Sequence, residues 1–430
     1  MSLLPNIVFA LILFSGVAFF LRNVSKLKRN IYLGKDVDTS GNTKLRWTNM
    51  AKIALGQGKM VRRPISGILH IIVYVGFVII NIEVLEIVID GLFGTHRIFS
   101  VIGPLYGVLI GVFEVLAALV FIAVVIFWFR RNVVKIQRFM KSEMKGWPKL
   151  DGNLILYFEI VLMGLFIIMN ATDVEFQSMN SGNVISQFFA PMFEGYNVHL
   201  IERIAWWVHI TGILVFLNYL YYSKHLHILL AFPNTYYGSV KPKGQLNNLE
   251  AVTNEVKLMM DPDADPYAAT AEDAAPPDKF GASDVQDLNW VQLLNAYTCT
   301  ECGRCTRECP ANQTGKKLSP RKIMMDTRDR LVEVGENIDA NNGEFKLDGK
   351  QLLGDYITNE ELWACTSCNA CVEACPVSID PLSIILEMRR YLVMEQSDAP
   401  MELNNMMSNI ENNGAPWPYN QMDRLNWKND

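Results

Sequence analysis

Two cysteine runs carry the clearest chemistry in this chain of 430 residues. The first reads Cys299-x-x-Cys302-x-x-Cys305-x-x-x-Cys309-Pro310, and the second Cys365-x-x-Cys368-x-x-Cys371-x-x-x-Cys375-Pro376. Two-residue gaps let three thiolates converge on one face of a cuboidal iron–sulfur cluster, while the three-residue gap and the proline swing the fourth toward a second cluster. The spacing therefore predicts two [4Fe–4S] clusters with exchanged fourth ligands. Cys299, Cys302, Cys305 and Cys375 would hold one, and Cys365, Cys368, Cys371 and Cys309 the other. A zinc site would use four ligands in separated pairs, and would leave the third cysteine and the proline of each run unexplained. All eight cysteines lie in this stretch, so they form one device rather than scattered disulfides.

A second chemistry is suggested by the histidines, of which the chain has six. His70 lies six residues after Pro64, and His227 six residues before Pro233. If the helix containing His227 continues to that proline, the two imidazoles reach similar depth, as the axial ligands of one haem b must. Low-spin haem takes two axial donors across its iron, and neutral imidazoles on facing helices supply them. His209 is 18 residues before His227, five turns of an unbroken helix, and is the candidate ligand of a second haem. Ten residues beyond His70, where its partner would fall, stands Ile80. His225, His96 and His199 read as interfacial or structural.

These histidines need helices in a membrane, and the sequence has them. Half the chain is apolar and 19% is charged, below the roughly 25% of soluble proteins. Five stretches, approximately 3–21, 65–89, 101–129, 154–170 and 200–222, are long enough to cross a bilayer as helix. The first lacks a basic leader and a small-residue cleavage site, and reads as an anchor rather than a signal peptide. Eleven Lys and Arg fall within 22–63 and seven within 130–149, against one in 90–100 and none in 171–198. Positive charge stays inside, which predicts an external amino terminus and a cytoplasmic domain after the fifth span. Four membrane acids, Glu83, Glu86, Glu114 and Glu159, are candidates for a proton path or a quinone contact, or for ordinary interhelical pairing. Glu114, near the middle of its span, has the least access to water.

Residues 1–240 carry a net charge of +8 and residues 241–430 a net −13. That division excludes a single soluble globule, and the acidic half argues against nucleic acid as a partner. The expected domains are a transmembrane unit over 1–235, an acidic Pro/Ala-rich and mostly extended tether over 236–287, a small helical cluster domain over 288–395 and a tail over 396–430. Ser319-Pro320 predicts a capped helix start, and Thr358-x-x-Glu361 a capping box ahead of the second run. No Gly-rich phosphate loop is evident, so neither a flavin nor a nicotinamide site is expected on this chain.

The residues also carry a resemblance. Leu69-His70-Ile71 after a basic loop, His209-Ile210-Thr211-Gly212, and His225-Leu226-His227-Ile228 followed by Pro233 make the membrane half similar to the cytochrome b subunit of respiratory nitrate reductase and of membrane-bound heterodisulfide reductases. Both cysteine runs, LSPRK at 318–322 and WACTSCNACVEACPV at 363–377 resemble the dicluster electron-transfer subunit of heterodisulfide reductase and its anaerobic glycerol-3-phosphate dehydrogenase relatives. The tail at 411–427 is similar to the segment that follows the second cluster in that family and reads as a docking segment. In fused relatives cysteine-rich CCG modules come next; here such a module is expected on another polypeptide.

The expectation is an all-α membrane domain of five transmembrane helices plus a mainly α-helical, ferredoxin-like dicluster domain, in a bacterial or archaeal cytoplasmic membrane. It would pass electrons between menaquinone or ubiquinone and a cytoplasmic partner through haem b and two [4Fe–4S] clusters, with substrate chemistry on the partner chain. A membrane-bound iron–sulfur redox sensor and a structural subunit of a respiratory assembly are the alternatives.

Overall fold

The computed structural model describes residues 3–179, 181–242, 244–263 and 279–429. The first half is helical throughout: α1 (Leu4–Ile31), α2 (Thr43–Met50), α3 (Pro64–Phe93), α4 (Pro104–Asn132), α5 (Trp147–Thr172), α6 (Val174–Ser178), α7 (Val198–Tyr219) and α8 (His227–Tyr237). Among them α1, α3, α4, α5 and α7, the last lengthened to Tyr222 by a 3-10 turn, are the five that are long and apolar enough to cross a membrane. Pro64, Pro104 and Pro148 sit in the first turns of α3, α4 and α5, where a missing N–H leaves no helical bond unmade. The core lies along α4, whose Ile110, Phe113 and Ala117 are fully buried between α3 and α5. Leu4, Ile7, Leu11 and Phe14 on α1 face outward, as lipid-facing side chains do.

After α9 (Glu250–Met260), the cysteine-bearing half comprises α10 (Trp290–Thr298), α11 (Arg304–Glu308), α12 (Pro310–Gln313), α13 (Pro320–Ala340), α14 (Leu352–Asp355), α15 (Asn359–Trp363), α16 (Ala370–Ala374), α17 (Pro381–Met394) and α18 (Met401–Asn413). No strand occurs among the described residues, only the isolated bridges Lys35–Asn289 and Leu353–Ile357. Ser319 caps α13, its hydroxyl accepting from the Lys322 N–H, and Thr358 and Glu361 form a reciprocal capping box on α15.

Three expectations change. The fifth span does not continue to Pro233: 3-10 turns cover Leu220–Tyr222 and Lys224–Leu226, Ser223 is extended, and α8 restarts at His227 with Pro233 inside it. The break is anchored by Asp151, which accepts from the Ser223 hydroxyl at 2.6 Å and the Lys224 N–H at 3.1 Å. The five-turn, same-face relation between His209 and His227 therefore does not hold.

Nor do residues 236–287 form a mostly extended tether. Residues 250–260 form α9, and Ala282, Val285 and Leu288 are fully buried in the cysteine domain. The central part of the expected tether, 264–278, lies outside the described residues.

Finally, the cysteine domain sits directly on one end of the helical bundle. Lys35 N–H donates to the Leu288 carbonyl at 2.8 Å, and Trp290 N–H returns a bond to Lys35 at 3.1 Å. Asn30 of α1 donates to the Tyr297 hydroxyl of α10 at 3.0 Å, and Asn234 of α8 to the Val377 carbonyl at 2.8 Å. The two charge imbalances meet in the pairs Lys26–Asp339, Arg62–Glu373 and Arg63–Glu308. Solvated pairs of this kind contribute little individually, so the backbone bridge and the buried contacts carry the docking. The tail forms α18 and a 3-10 segment, Gln421–Lys428, with no buried side chain in either.

Candidate redox site

The two cysteine runs fold alike because their loops turn at the same places. Glu301 and Ser367, each two residues after the first cysteine, take positive φ, as do Gly303 and Asn369 after the second. Two left-handed residues reverse the chain tightly enough to aim the thiols inward. A one-turn helix, α11 or α16, then presents the third cysteine, and Cys309 and Cys375 are extended ahead of their prolines. α11 packs against α16, which brings the runs together.

Cys299, Cys302, Cys305 and Cys375 line one cavity, together with Gly303, Met324 and Pro376. Cys365 lies within electrostatic reach of Cys309 and Cys368, and Cys371 of Cys365 and Cys309. The thiols surround a space rather than a point: among the described residues no three His, Cys, Asp or Glu side chains are close enough to hold a single metal ion. Burial pushes the Cys299 and Cys371 thiols up to about 12 and Cys375 up to about 11. Thiolates there require a cation such as cluster iron to replace the proton. Exposure is unequal, since Cys299, Cys309, Cys371 and Cys375 are buried whereas Cys368 is exposed.

His70 of α3 and His227 at the start of α8 face each other at the end of the bundle beneath the cysteine domain, ring centroids 6.3 Å apart. Two metal–imidazole bonds of about 2 Å each separate donor nitrogens by about 4 Å, which with the ring halves matches that spacing. His227 Nδ1 donates to the Lys224 carbonyl at 3.1 Å, leaving Nε2 free, and the buried Nδ1 of His70 has no partner. Such a carbonyl contact is the usual support of a metal-ligating imidazole. The pair fits axial ligation of haem. His209 is elsewhere, buried beside Phe166 at 6.2 Å with its Nδ1 unpartnered, and Ile80 is likewise buried in the bundle. His225 lies 5.5 Å from His227, its Nε2 4.0 Å from Glu159.

Residues that the sequence did not single out join these sites. Arg304, between Cys302 and Cys305, donates to the carbonyls of Lys59 and Met60 just before α3, and its charge reaches His70. Glu301, between Cys299 and Cys302, is buried against Lys224 and Arg328. Its carboxylate is held below its usual range because those cations outweigh the burial that would raise it. The signal available in the sequence was position alone: charged residues inside a cluster loop and beside a histidine pair.

Glu114 proves to be a structural acceptor. Fully buried, it takes hydrogen bonds from Asn170 at 3.1 Å and from the N–H groups of Ile185 and Ser186 at 2.7 and 3.1 Å, fixing the loop after α6. At that same end, away from the cysteine domain, a cavity of about 440 Å³ is lined by Phe9, Glu83, Glu86, Arg97, Trp206 and Trp207, among others. Arg97 bonds Asp173 and Asn170 there, at 2.8 and 2.9 Å. Asp173 lies well below its ordinary range: burial raises it, but His96 and Arg97 outweigh that.

Comparison with known proteins matches residues 298–379 to the 4Fe-4S dicluster domain family. The probable iron-sulfur-binding oxidoreductase FadF of Bacillus subtilis (strain 168) is 30% identical over 89% of this chain and 54% of its own length. The EtfAB:quinone oxidoreductase of Syntrophomonas wolfei is 26% identical over 87% of this chain and 52% of its own. A probable membrane-anchored ferredoxin of Chromohalobacter salexigens is 32% identical over 38% of this chain and 26% of its own. The chain thus spans about half the length of the first two relatives. No solved structure matches. This multi-pass membrane chain carries a 4Fe–4S dicluster domain and is homologous to iron–sulfur oxidoreductases and to the C-type electron-transfer chains of heterodisulfide reductases.

Proposed function

We propose that the chain is a membrane-anchored electron-transfer subunit linking a quinone pool to a cytoplasmic redox partner. The path runs from haem b, held by His70 and His227, to a first cluster on Cys299, Cys302, Cys305 and Cys375. It continues through a second cluster on Cys365, Cys368, Cys371 and Cys309 to the partner. The observation that carries this reading is the gradient of access. The cavity of the first four thiols is joined to the His70 region by Arg304, while Cys368 of the other set is exposed. The haem, when bound, relays one electron at a time; the chain's own part is to hold the imidazoles and thiolates and to exclude water from the first cluster.

Several further assignments belong to this reading. The iron–sulfur domain is cytoplasmic, because the basic loops 22–63 and 130–149 touch it through Arg63–Glu308 and Glu143–Arg321 and positive loops stay inside. Quinone is the membrane substrate, in keeping with the name of the Syntrophomonas wolfei relative. The partner is a CCG-module iron–sulfur protein that meets the exposed tail and the Cys368 face. The test is the visible and low-temperature EPR spectrum of the detergent-purified chain. It should contain haem b in stoichiometric amount, reducible by a menaquinol analogue, and two cubane signals. Cys305→Ala should remove or convert one cubane signal and spare the other. Retention of both unaltered signals in Cys305→Ala overturns the ligand assignment, and a spectrum without haem overturns the path.

A further inference from the structure

Lys224 touches both halves of that path. Its carbonyl receives the Nδ1–H of His227 at 3.1 Å. Its N–H donates to Asp151 at 3.1 Å, and its ammonium to the Pro148 carbonyl at 2.7 Å. The same ammonium pairs with the carboxylate of Glu301, inside the loop between Cys299 and Cys302. Glu301 is 2% exposed, with φ +54°, and its second oxygen accepts from Arg328 at 2.7 Å. A non-glycine residue persists in that backbone region when its surroundings over-determine it, and here two cations do so. One residue therefore orients an imidazole through its main chain and locks the adjacent cysteine loop through its side chain.

We propose that Lys224 is a positioning residue that couples the two redox centres. It sets the orientation of the His227 imidazole, fixes its separation from the first cluster, and places a positive charge beside that cluster but not beside the second. The inference rests on the haem and cluster assignments above. Truncating a buried ion pair leaves its partner uncompensated and free to move, and Glu301 would then loosen the first cysteine loop. A misplacement of about 1 Å costs up to about a hundredfold where geometry controls rate.

The experiment uses the full chain purified in detergent, as wild type, Lys224→Met, Lys224→Arg and Glu301→Gln, with haem and iron quantified first. Redox potentiometry by EPR then follows each cluster, and the haem g-values report imidazole orientation. In Lys224→Met the first-cluster potential falls, the second-cluster potential stays, and the haem g-values shift. Photo-initiated haem-to-cluster electron transfer slows by at least about tenfold, and Lys224→Arg restores the cluster potential. Glu301→Gln, which keeps the shape of the side chain and loses its charge, raises the first-cluster potential alone, and serves where Lys224→Met does not assemble. Haem g-values and first-cluster potential unchanged in a fully loaded Lys224→Met overturn the proposal. So do equal shifts of both clusters, or a Glu301→Gln that leaves the first cluster unmoved. Wild type without haem defeats the functional reading instead, and is seen before any variant is compared.

Discussion

At the scale of single residues, buried polar groups divide into those that hold the fold and those that invite a cofactor. Glu114 belongs to the first kind, since its two carboxylate oxygens are directed at Asn170, Ile185 and Ser186. Glu114→Ala should destabilise the membrane domain by about 1–3 kcal/mol for each donor left unsatisfied, and a fall in thermal midpoint in detergent, with faster proteolysis near residue 185, would show it. His96 provides a pH-dependent counterpart. Its hydrogen bond to Asp173 holds it above its ordinary value, against the opposing effect of burial. A raised histidine contributes stability that is complete below the ordinary value of about 6.5 and is lost as pH rises through the higher folded value. The stability advantage of wild type over His96→Gln should therefore be greatest in mild acid and shrink in alkali, as thermal midpoints across that range would reveal. His70 is of the second kind, a buried imidazole whose Nδ1 finds no protein partner.

At the scale of elements, the docking of α1 against α13 needs close backbone approach. A Cβ on Gly335 of α13 would stand 2.3 Å from the Asn30 amide, and one on Gly34 would stand 2.7 Å from the Leu288 carbonyl. Arg29 meanwhile donates to the Gly335 carbonyl at 2.9 Å. Gly335→Val should therefore pry the cysteine domain from the bundle at a cost of about 1–3 kcal/mol, the usual range for overpacking. Limited proteolysis between residues 33 and 36 should then accelerate while the five-helix bundle keeps its own thermal transition. The broken fifth helix belongs to this scale too. Asp151 on α5 draws Ser223 and Lys224 out of helical geometry, and the turn that results delivers His227 to His70.

At the scale of the whole molecule, the unequal burial of the two cysteine sets orients the device. The set including Cys299, Cys305 and Cys375 lies between the domains, whereas Cys368 opens to the surface. On exposure to air or a chelator, the signal of the second cluster should decay several-fold faster than that of the first, followed by EPR over time. The exposed apolar residues of the tail, Met401, Met422 and Trp427 among them, leave a surface on the same polypeptide for a partner.

The sequence by itself determined the five spans, the capped starts of α13 and α15, and the cysteine loops, because each depends on spacing within a few turns of chain. That Cys375 would stand beside the first run was legible only because the proline and the three-residue gap are local signals for a distant event. What tertiary structure alone decided involves residues far apart in sequence. Lys224 meets Glu301 across 77 positions, and Glu114 meets Ile185 across 71. The reading of Glu114 as a candidate proton carrier, the unbroken fifth helix and the loose tether all gave way for one reason. A side chain's partners, and the turn those partners impose, follow from the packing of whole helices rather than from the spacing along one of them.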